Sequence, residues 1–338
     1  MKKIGFIIVL LLVLVAGGWG LFANRVDYDK IVFVLPSSNR VSSPFFYKRC
    51  GDFFLANDLR IGFEKLGYEV EYRFREDYED LKLGNAGNVI FFKGYYVFKN
   101  LPKVEDKRVK TILYVYYMEG MNKQILTETD VVVGASKSFI ERHIKSAGRS
   151  WGVIPQFTNP DRFKSAKIEE DKKNDVLFVG SNNYDKGRKC VKYALKTDAD
   201  FKVYGKRWSD VLEPKFYGGE FIDNDELYKY YSNAKIVLND HRDEMAYFGF
   251  VSNRIYDVSA SGGFIFTDYV KEIEEVYGDS IAMYKDFDEF EEKLKYYLEH
   301  EEERKKMIEK ARDITLKEFT NYRAAEKFDM ILKNIKKN

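Results

Sequence analysis

The stretch NRIYDVSASGGFIFTD, residues 253–268, decides how this chain is interpreted. Its first part has helical spacing and carries Arg254 and Asp257, which share one face because they are three residues apart. A turn of small residues, 259–263, follows, and then an apolar run that we interpret as a strand. A surface helix with a glycine-rich end is one explanation. We favour a second, in which a polar ligand such as a nucleotide lies against the helix and the turn, because small residues let the backbone come close to a ligand.

Outward from this stretch, short apolar runs alternate with longer amphipathic runs, which is typical of an α/β protein with parallel strands. The strand-like runs lie at residues 30–38, 68–74, 88–94, 110–120, 130–136, 176–181, 201–208 and 235–240. The helix-like runs lie at residues 51–66, 137–148, 186–196, 224–234 and 286–319, the last of them split near His300. A connection at 151–163 and a charged stretch at 164–175 divide this pattern into two halves. Ligands of such sheets bind at the carboxyl ends of the strands, so the cleft between the halves is the expected site.

The composition bounds the class of protein. A chain of 338 residues is long enough for two domains, and 45% apolar residues supply two packed interiors. The 56 Lys and Arg residues nearly balance the 54 Asp and Glu residues and form no evident basic face, which argues against nucleic-acid binding. Cys50 and Cys190 lie far apart, and the three histidines are not at ligand spacing. We therefore expect neither a metal site nor a disulfide framework.

The N-terminus carries a candidate membrane anchor. Residues 4–23 form an uninterrupted uncharged run of 20 residues. A helix rises about 1.5 Å per residue, so about 20 residues cross the hydrocarbon layer. Leu21 is poorly suited to a signal-peptidase site, which prefers small residues before the cut. We predict an uncleaved single-pass anchor in residues 1–23, followed by a folded body.

Polar residues follow two strand-like runs of the second half. Gly180 and Ser181 end one run, and their backbone N–H groups would suit an anion at the start of the next helix. Lys186 and Arg188 open that helix, where the dipole disfavours cations, and this suggests a diphosphate partner. Loop cations in solvent remain the alternative. No G-x-G-x-x-G, P-loop or G-x-S-x-G motif occurs, which disfavours dehydrogenases, P-loop enzymes and α/β-hydrolases.

Four segments carry a resemblance to a known family: VLNDHRDE at 237–244, NRIYDVSASGGFIFTD at 253–268, YKDFDEFEEKLKYYLEHEEERKKMIEKA at 284–311 and FTNYRAA at 319–325. They resemble group 1 glycosyltransferases, most closely the branch named for spore maturation proteins. The resemblance implies the GT-B fold, with two Rossmann-like domains facing across a cleft. By it, residues 29–163 form the acceptor domain and residues 174–316 the nucleotide-sugar donor domain. Residues 317–338 would form a helix that crosses back to the first domain.

The resemblance also implies roles for individual residues. Asp257 matches the second acidic residue of the family's E-x7-E motif, which holds the donor ribose, and Lys186 matches the lysine that contacts the donor phosphates. The first acidic position is Gly249 here, and Ser181 replaces the arginine partner of that lysine. We expect arginines nearby to supply the missing charge. The predicted donor-binding residues are Gly180, Ser181, Lys186, Arg188, His241, Arg242, Asn253, Arg254, Asp257, Ser261, Gly262 and Gly263.

The activity implied is transfer of a sugar from a nucleotide-sugar donor, with no metal or cofactor, to a membrane-associated or envelope acceptor that is a glycan or is lipid-linked. Such transfer requires stabilisation of the diphosphate leaving group and deprotonation of the acceptor hydroxyl. Asp52, at the head of the 51–66 helix, and Glu119, after the strand at 110–117, are the candidate bases. Retention and inversion of the anomeric configuration both stay open.

Two other functions remain possible at this point. Because Gly249 and Ser181 replace charged residues of the family, the chain could be a GT-B scaffold that has lost catalysis and acts as a binding module. Two α/β halves behind an apolar segment also suit a periplasmic-type ligand-binding protein. Charges at positions 2, 3, 25 and 30 flank the anchor on both sides and leave its orientation nearly balanced. Because bacterial nucleotide sugars are cytoplasmic, we expect the body to face the cytoplasm.

Overall fold

The computed structural model describes residues 25–39, 51–94, 100–118, 120, 122–182 and 187–337. The predicted anchor at 4–23, the candidate base Glu119 and the candidate phosphate ligand Lys186 lie outside these ranges and stay predictions. Within the ranges, no helix combines the length and the apolar character that crossing a bilayer requires.

The first half is a parallel sheet of six strands. These are β1 (Asp27–Val34), β2 (Glu69–Arg73), β3 (Ala86–Lys93), β4 (Lys110–Val115), β5 (Val131–Gly134) and β6 (Trp151–Val153), in the order β2-β1-β3-β4-β5-β6. Helices α1 (Gly51–Lys65) and α2 (Lys137–His143) lie in the same half. Residues 31–34 of β1 are fully buried, as expected for a central strand with both faces covered.

The second half repeats this architecture. Its strands are β7 (Asn174–Val179), β8 (Phe201–Tyr204), β9 (Tyr217–Gly219), β10 (Ala234–Asn239), β11 (Ile265–Asp268) and β12 (Ala282–Tyr284), in the order β12-β11-β10-β7-β8-β9. Its helices are α3 (Lys189–Ala194), α4 (Leu227–Asn233), α5 (Asp243–Phe248), α6 (Asn253–Ala260), α7 (Lys271–Tyr277), α8 (Phe287–Glu299) and α9 (Glu301–Glu318). The strand order reverses between β7 and β10, where open parallel sheets bind their ligands.

The last helix, α10 (Asn321–Asn334), returns to the first half and packs against α1. Phe328 and Leu332 of α10 are part of the hydrophobic core of the first half. Gly62 in α1 permits this approach, since a Cβ atom there would lie 2.5 Å from the Asn321 carbonyl oxygen and 2.8 Å from the Ala325 Cβ. The chain therefore crosses between the halves twice, once near residue 158 and again near residue 320.

The predicted α/β class, with parallel strands in two halves, is confirmed. Some boundaries differ. The helix predicted at 137–148 ends at His143, and a 3₁₀ turn then leads to Gly148, whose φ is 68°. The helix predicted at 186–196 is described only from Lys189 to Ala194. Residues 151–153, predicted as a connection, form the short edge strand β6, whose alternating burial is too brief to detect by periodicity.

Candidate functional site

A cleft of about 470 Å³ lies between the two halves. Its walls come from α1 and the end of β4 in the first half, from the connection between the halves, and from α4, α5 and α6 with their flanking loops. The lining residues are Gly51, Asp52, Phe54, Leu55, Asp58, Tyr116, Tyr117, Gln156, Arg162, Phe163, Asn224, Tyr231, Met245, Ser252, Asn253, Arg254 and Asp257. Four residues that the sequence analysis selected, Asp52, Asn253, Arg254 and Asp257, are therefore brought together in one cavity.

Arg254 is fixed at the point where the strand order reverses. Its guanidinium donates hydrogen bonds to Oδ1 of Asn239, which ends β10, and to the carbonyl oxygen of Val179, which ends β7. It also lies 5.1 Å from the centroid of the Phe178 ring. These contacts hold a positive charge at the carboxyl ends of the two central strands, which is the position of an anion subsite in such sheets.

Gly180 leaves room for this arginine. A Cβ atom at Gly180 would lie 2.9 Å from Nη2 of Arg254. The backbone N–H of Gly180 donates to the Tyr204 carbonyl oxygen at 2.8 Å, and its own carbonyl oxygen accepts from Nε1 of Trp208 at 2.7 Å. Ser181 follows and is partly exposed. Gly180 thus lies beside Arg254 and acts by its lack of a side chain.

Arg188 does not line the cleft. It forms a buried ion pair with Asp240, and its Nη2 donates to the Asp240 carbonyl oxygen at 3.0 Å. Its charge is thereby compensated within the second half. Arg188 is the N-cap residue of α3, as the predicted helix start implies, but its guanidinium is already paired with Asp240; its predicted role as a donor-phosphate ligand stays a prediction.

Asp257 lines the cleft and accepts hydrogen bonds from two neighbouring side chains. Its Oδ1 accepts from Oγ1 of Thr158 at 2.7 Å, and its Oδ2 accepts from Nδ2 of Asn253 at 2.8 Å. Burial raises the pKa of Asp257 to about 7, although the Arg162 guanidinium acts in the opposite direction. Thr158 belongs to the connection between the halves, so this carboxylate links the second half to the crossing point.

A second carboxylate, Asp58 of α1, binds the same connection from the other side. It accepts hydrogen bonds from Nδ2 of Asn159 at 2.8 Å and from the guanidinium of Arg162. Burial raises the pKa of Asp58 against the pull of that guanidinium. The Arg162 guanidinium also lies 4.7 Å from the Phe54 ring centroid. Sequence analysis missed this cluster, and its only signal was the polar run TNPDR at 158–162 inside a connection.

His241 has a different place from the one predicted. Its side chain is fully buried, with Nδ1 2.7 Å from Oδ1 of Asp268. Its Nε2 accepts from the backbone N–H of Ser252 at 2.9 Å, so the ring proton lies on Nδ1, toward Asp268. His241 therefore positions the loop that opens α6 and does not line the cleft. Arg242 is also absent from the lining, and its guanidinium lies 5.9 Å from the Tyr117 ring centroid.

The small-residue turn at 261–263 lies away from the cleft. Helix α6 starts at the carboxyl edge of the sheet and, over eight residues or about 12 Å, returns the chain to the start of β11. A Cβ atom at Gly263 would lie 2.5 Å from the Tyr231 carbonyl oxygen, and one at Gly262 would lie 2.8 Å from Oγ of Ser165. Ser261 Oγ donates to the Asp257 carbonyl oxygen. The expectation that this turn faces a diphosphate is corrected: its small residues make room for protein.

The surroundings of Gly249 explain why glycine stands at the first acidic position of the motif. Its φ is 71°, which favours glycine, and a Cβ atom there would collide with the carboxylate of Glu272. That carboxylate accepts a hydrogen bond from Ser138 in the first half. The space beside Gly249 therefore belongs to a contact between the halves.

The variant Gly249→Glu, which would restore the acidic residue, is expected to lower stability by about 2–4 kcal/mol. Backbone strain and the clash with Glu272 both contribute. Chemical denaturation measures the change. Gly148→Glu is the matched control, because Gly148 has nearly the same left-handed backbone, with φ 68° and ψ 20° against 71° and 24° at Gly249, but open space around its Cβ position. Equal losses in the two variants would show that Glu272 has no part in the effect.

Comparison with known proteins agrees with this architecture. Residues 188–329 match the family model described as glycosyl transferase-like. Spore protein CgeB of Bacillus subtilis (strain 168) is 24% identical over an alignment of 209 residues, which covers 56% of this chain and 64% of that protein. The chain thus spans just under two thirds of the length of that curated relative. The predicted resemblance to the spore-protein branch of group 1 glycosyltransferases is confirmed.

Solved structures share the fold across nearly the whole chain. Sucrose-phosphate synthase from Thermosynechococcus elongatus superposes with a TM-score of 0.68 at 10% identity, covering 90% of this chain and 98% of that one. Anabaena HepE, solved in complex with UDP and glucose, gives 0.62 at 11% identity, covering 90% and 100%. Residues 188–329 are therefore similar to the glycosyl transferase-like family, and the chain shares the GT-B fold of these structures.

Proposed function

We propose that this chain transfers a sugar from a nucleoside diphosphate sugar to an acceptor hydroxyl in the cleft between its halves. The observation that carries the proposal is Arg254, a cation held by the ends of β7 and β10 in the cleft wall. HepE binds UDP and glucose on the same fold, which supports a uridine diphosphate sugar as the first donor to test.

Asn253 and Asp257 have capacity left to bind the ribose of such a donor. The two side chains are hydrogen-bonded to each other. A carboxylate has about four acceptor positions, so Asp257 can accept a hydrogen bond from a ribose hydroxyl while it keeps the one from Thr158. The side-chain Oδ1 of Asn253 is buried and lacks a hydrogen-bond partner within the described ranges. A ribose hydroxyl would satisfy it.

In the reaction, the acceptor oxygen bonds to the anomeric carbon while the bond from that carbon to the diphosphate oxygen breaks. The electron pair leaves with the diphosphate, and Arg254 stabilises the charge. The acceptor proton passes to a base of the first half, for which Asp52 in the cleft wall is our candidate. Because Arg254 supplies the positive charge, we propose that the transfer is independent of metal.

The acceptor class follows from the predicted anchor at 4–23. A tethered body with an open cleft suits a membrane-associated or envelope glycan, or a lipid-linked acceptor. We propose that the body faces the cytoplasm, where nucleotide sugars are made.

Thermal unfolding of the purified body, residues 25–338, with UDP, GDP, CDP, ADP and free sugars tests the proposal. A ligand at 100 times its Kd adds about 2.7 kcal/mol of stability, so the matching nucleotide is expected to raise Tm by several degrees. UDP release from UDP-glucose is measured in parallel. Stabilisation by a free sugar alone would favour a ligand-binding protein, and nucleotide binding without turnover of any nucleotide sugar would favour a binding module.

A further inference from the structure

A lysine is buried directly beneath the first-half wall of the cleft. Lys93 is the last residue of β3, and its side chain has no exposed surface. Its Nζ donates hydrogen bonds to the carbonyl oxygen of Gly94 at 2.6 Å and to that of Tyr117 at 3.2 Å. An ammonium group removed from water is costly unless it is paired. These two carbonyl oxygens accept hydrogen bonds from the ammonium group, but they carry no countercharge.

The countercharge comes from Asp52 in the first turn of α1. The hydroxyl of Tyr116 contacts the Asp52 carboxylate, and both residues line the cleft. Gly94 makes this arrangement possible, because a Cβ atom there would lie 2.6 Å from Oδ1 of Asp52 and would collide with the Tyr116 hydroxyl. The carboxyl end of β3 thus places an ammonium below a carboxylate that opens to the cleft.

The other charged groups around Asp52 are engaged elsewhere. Asp58, further along α1, is paired with Arg162 of the connection. Arg254 and Asp257 belong to the opposite wall, with their own partners. Within the described chain, Lys93 is the cation that acts on Asp52. Burial raises the pKa of Asp52, and Tyr116 and Lys93 oppose this rise. Burial lowers the pKa of Lys93 to about 8, and Asp52 opposes that fall.

We propose that Lys93 is the positioning residue that keeps Asp52 ionised and able to take the acceptor proton. The proposal rests on the proposed function for the reaction but concerns a pair of charges that exists without substrate. Two consequences follow. Below the pKa of Asp52 the carboxylate is protonated and transfer stops. As the pH rises through about 8, Lys93 loses its charge, Asp52 loses its partner, and transfer declines again.

The test is a ¹³C NMR titration of the full body labelled at the aspartate carboxyl carbons, with Asp52→Asn to assign the signal. Lys93→Met, which is nearly isosteric, is expected to move the titration of Asp52 to higher pH by about one unit or more. Lys110→Met is the matched control, since Nζ of Lys110 also donates to a backbone carbonyl oxygen, that of Leu332, but lies at the amino ends of the strands, away from the cleft. An Asp52 titration that is the same in wild type and in Lys93→Met would overturn the proposal.

The reciprocal experiment does not require the lysine variant to fold. With the lysine ε-carbons labelled, Lys93 is expected to titrate near pH 8 in the wild type. Asp52→Asn removes the countercharge and is expected to move that titration to lower pH, whereas no change would contradict the pairing. Neither titration uses a donor or an acceptor, so both results stand apart from the success of the proposed function. Where UDP-glucose turnover is found, Lys93→Met should lower kcat about tenfold at pH 7 with the donor KM unchanged.

Discussion

Replacement of Arg254 by methionine is expected to weaken UDP binding by about 10- to 100-fold. A hydrogen bond to a charged group contributes about 1.5–3 kcal/mol, and each 1.4 kcal/mol is a tenfold change in Kd. The guanidinium is also held in place by Asn239, Val179 and the Phe178 ring, so no neighbour can take over its position. Isothermal titration calorimetry with UDP measures the loss.

Arg242→Met is the matched control for this variant. Arg242 is another arginine of the second half that the sequence analysis selected, but it is not part of the cleft wall. Its loss is expected to leave the Kd for UDP within about threefold of wild type, the scale of an indirect effect. Equal losses in the two variants would place the diphosphate elsewhere in the second half, and an unchanged Kd in Arg254→Met would remove the central argument for the donor site.

The variant Asp257→Asn is expected to have opposite effects on stability and on binding. Burial raises the pKa of Asp257 from its ordinary 3.8 to about 7, so the folded protein favours the protonated form. Between pH 3.8 and about pH 7, unfolding releases a proton from Asp257, so the free energy of unfolding falls as the pH rises. Above about pH 7 both states are ionised and the full penalty is present. Asparagine carries no charge and so removes the cost of burying the ionised carboxylate. The Tm of the variant at pH 8 should therefore lie several degrees above that of wild type, with little difference at pH 4.

Asparagine also fits the local hydrogen bonds. Its Oδ1 can accept from Thr158, and the amide of Asn253 can rotate so that its buried Oδ1, which has no partner among the described residues, accepts from the new Nδ2. UDP affinity should nevertheless fall about tenfold or more, because the carboxylate that accepts from the ribose is lost.

Thr158→Val separates the two roles of Asp257. It removes the contact with the connection, Oγ1 to Oδ1 at 2.7 Å, and leaves the carboxylate in place. If Thr158→Val reproduces the loss of UDP affinity, Asp257 acts through the geometry of the connection and does not touch the ribose. Differential scanning calorimetry from pH 4 to pH 8, with and without UDP, measures both effects.

Local sequence was sufficient to place residues at strand ends but not to identify their partners. Arg254 and Asp257 were found because helical spacing fixes their common face and the carboxyl end of β10 precedes them. The surroundings of His241 and Arg188 were not foreseen, because His241 is hydrogen-bonded to Asp268 and Arg188 is paired with Asp240, and both carboxylates lie far along the chain. No local pattern shows such pairing.

The missed residues have the same cause. Lys93 ends an apolar strand, where a lysine usually extends into solvent, but its side chain is buried, and its Nζ reaches the carbonyl oxygen of Tyr117 after the end of β4. Arg162 and Asp58 lie 104 positions apart and meet only because the connection crosses α1. The glycine-rich turn was misplaced because glycine marks a close approach without indicating what approaches.

The return of α10 to the first half has a consequence for synthesis of the protein on the ribosome. The core of the first half includes Phe328 and Leu332, which are translated after every strand of both halves. Until α10 has left the ribosome, the surface of α1 around Gly62, against which α10 packs, stays exposed. The second half, by contrast, has all its strands by residue 284. The half that is translated earlier is thus completed later than the sheet of the second half, and a nascent chain stalled before residue 321 would present an open apolar groove to chaperones.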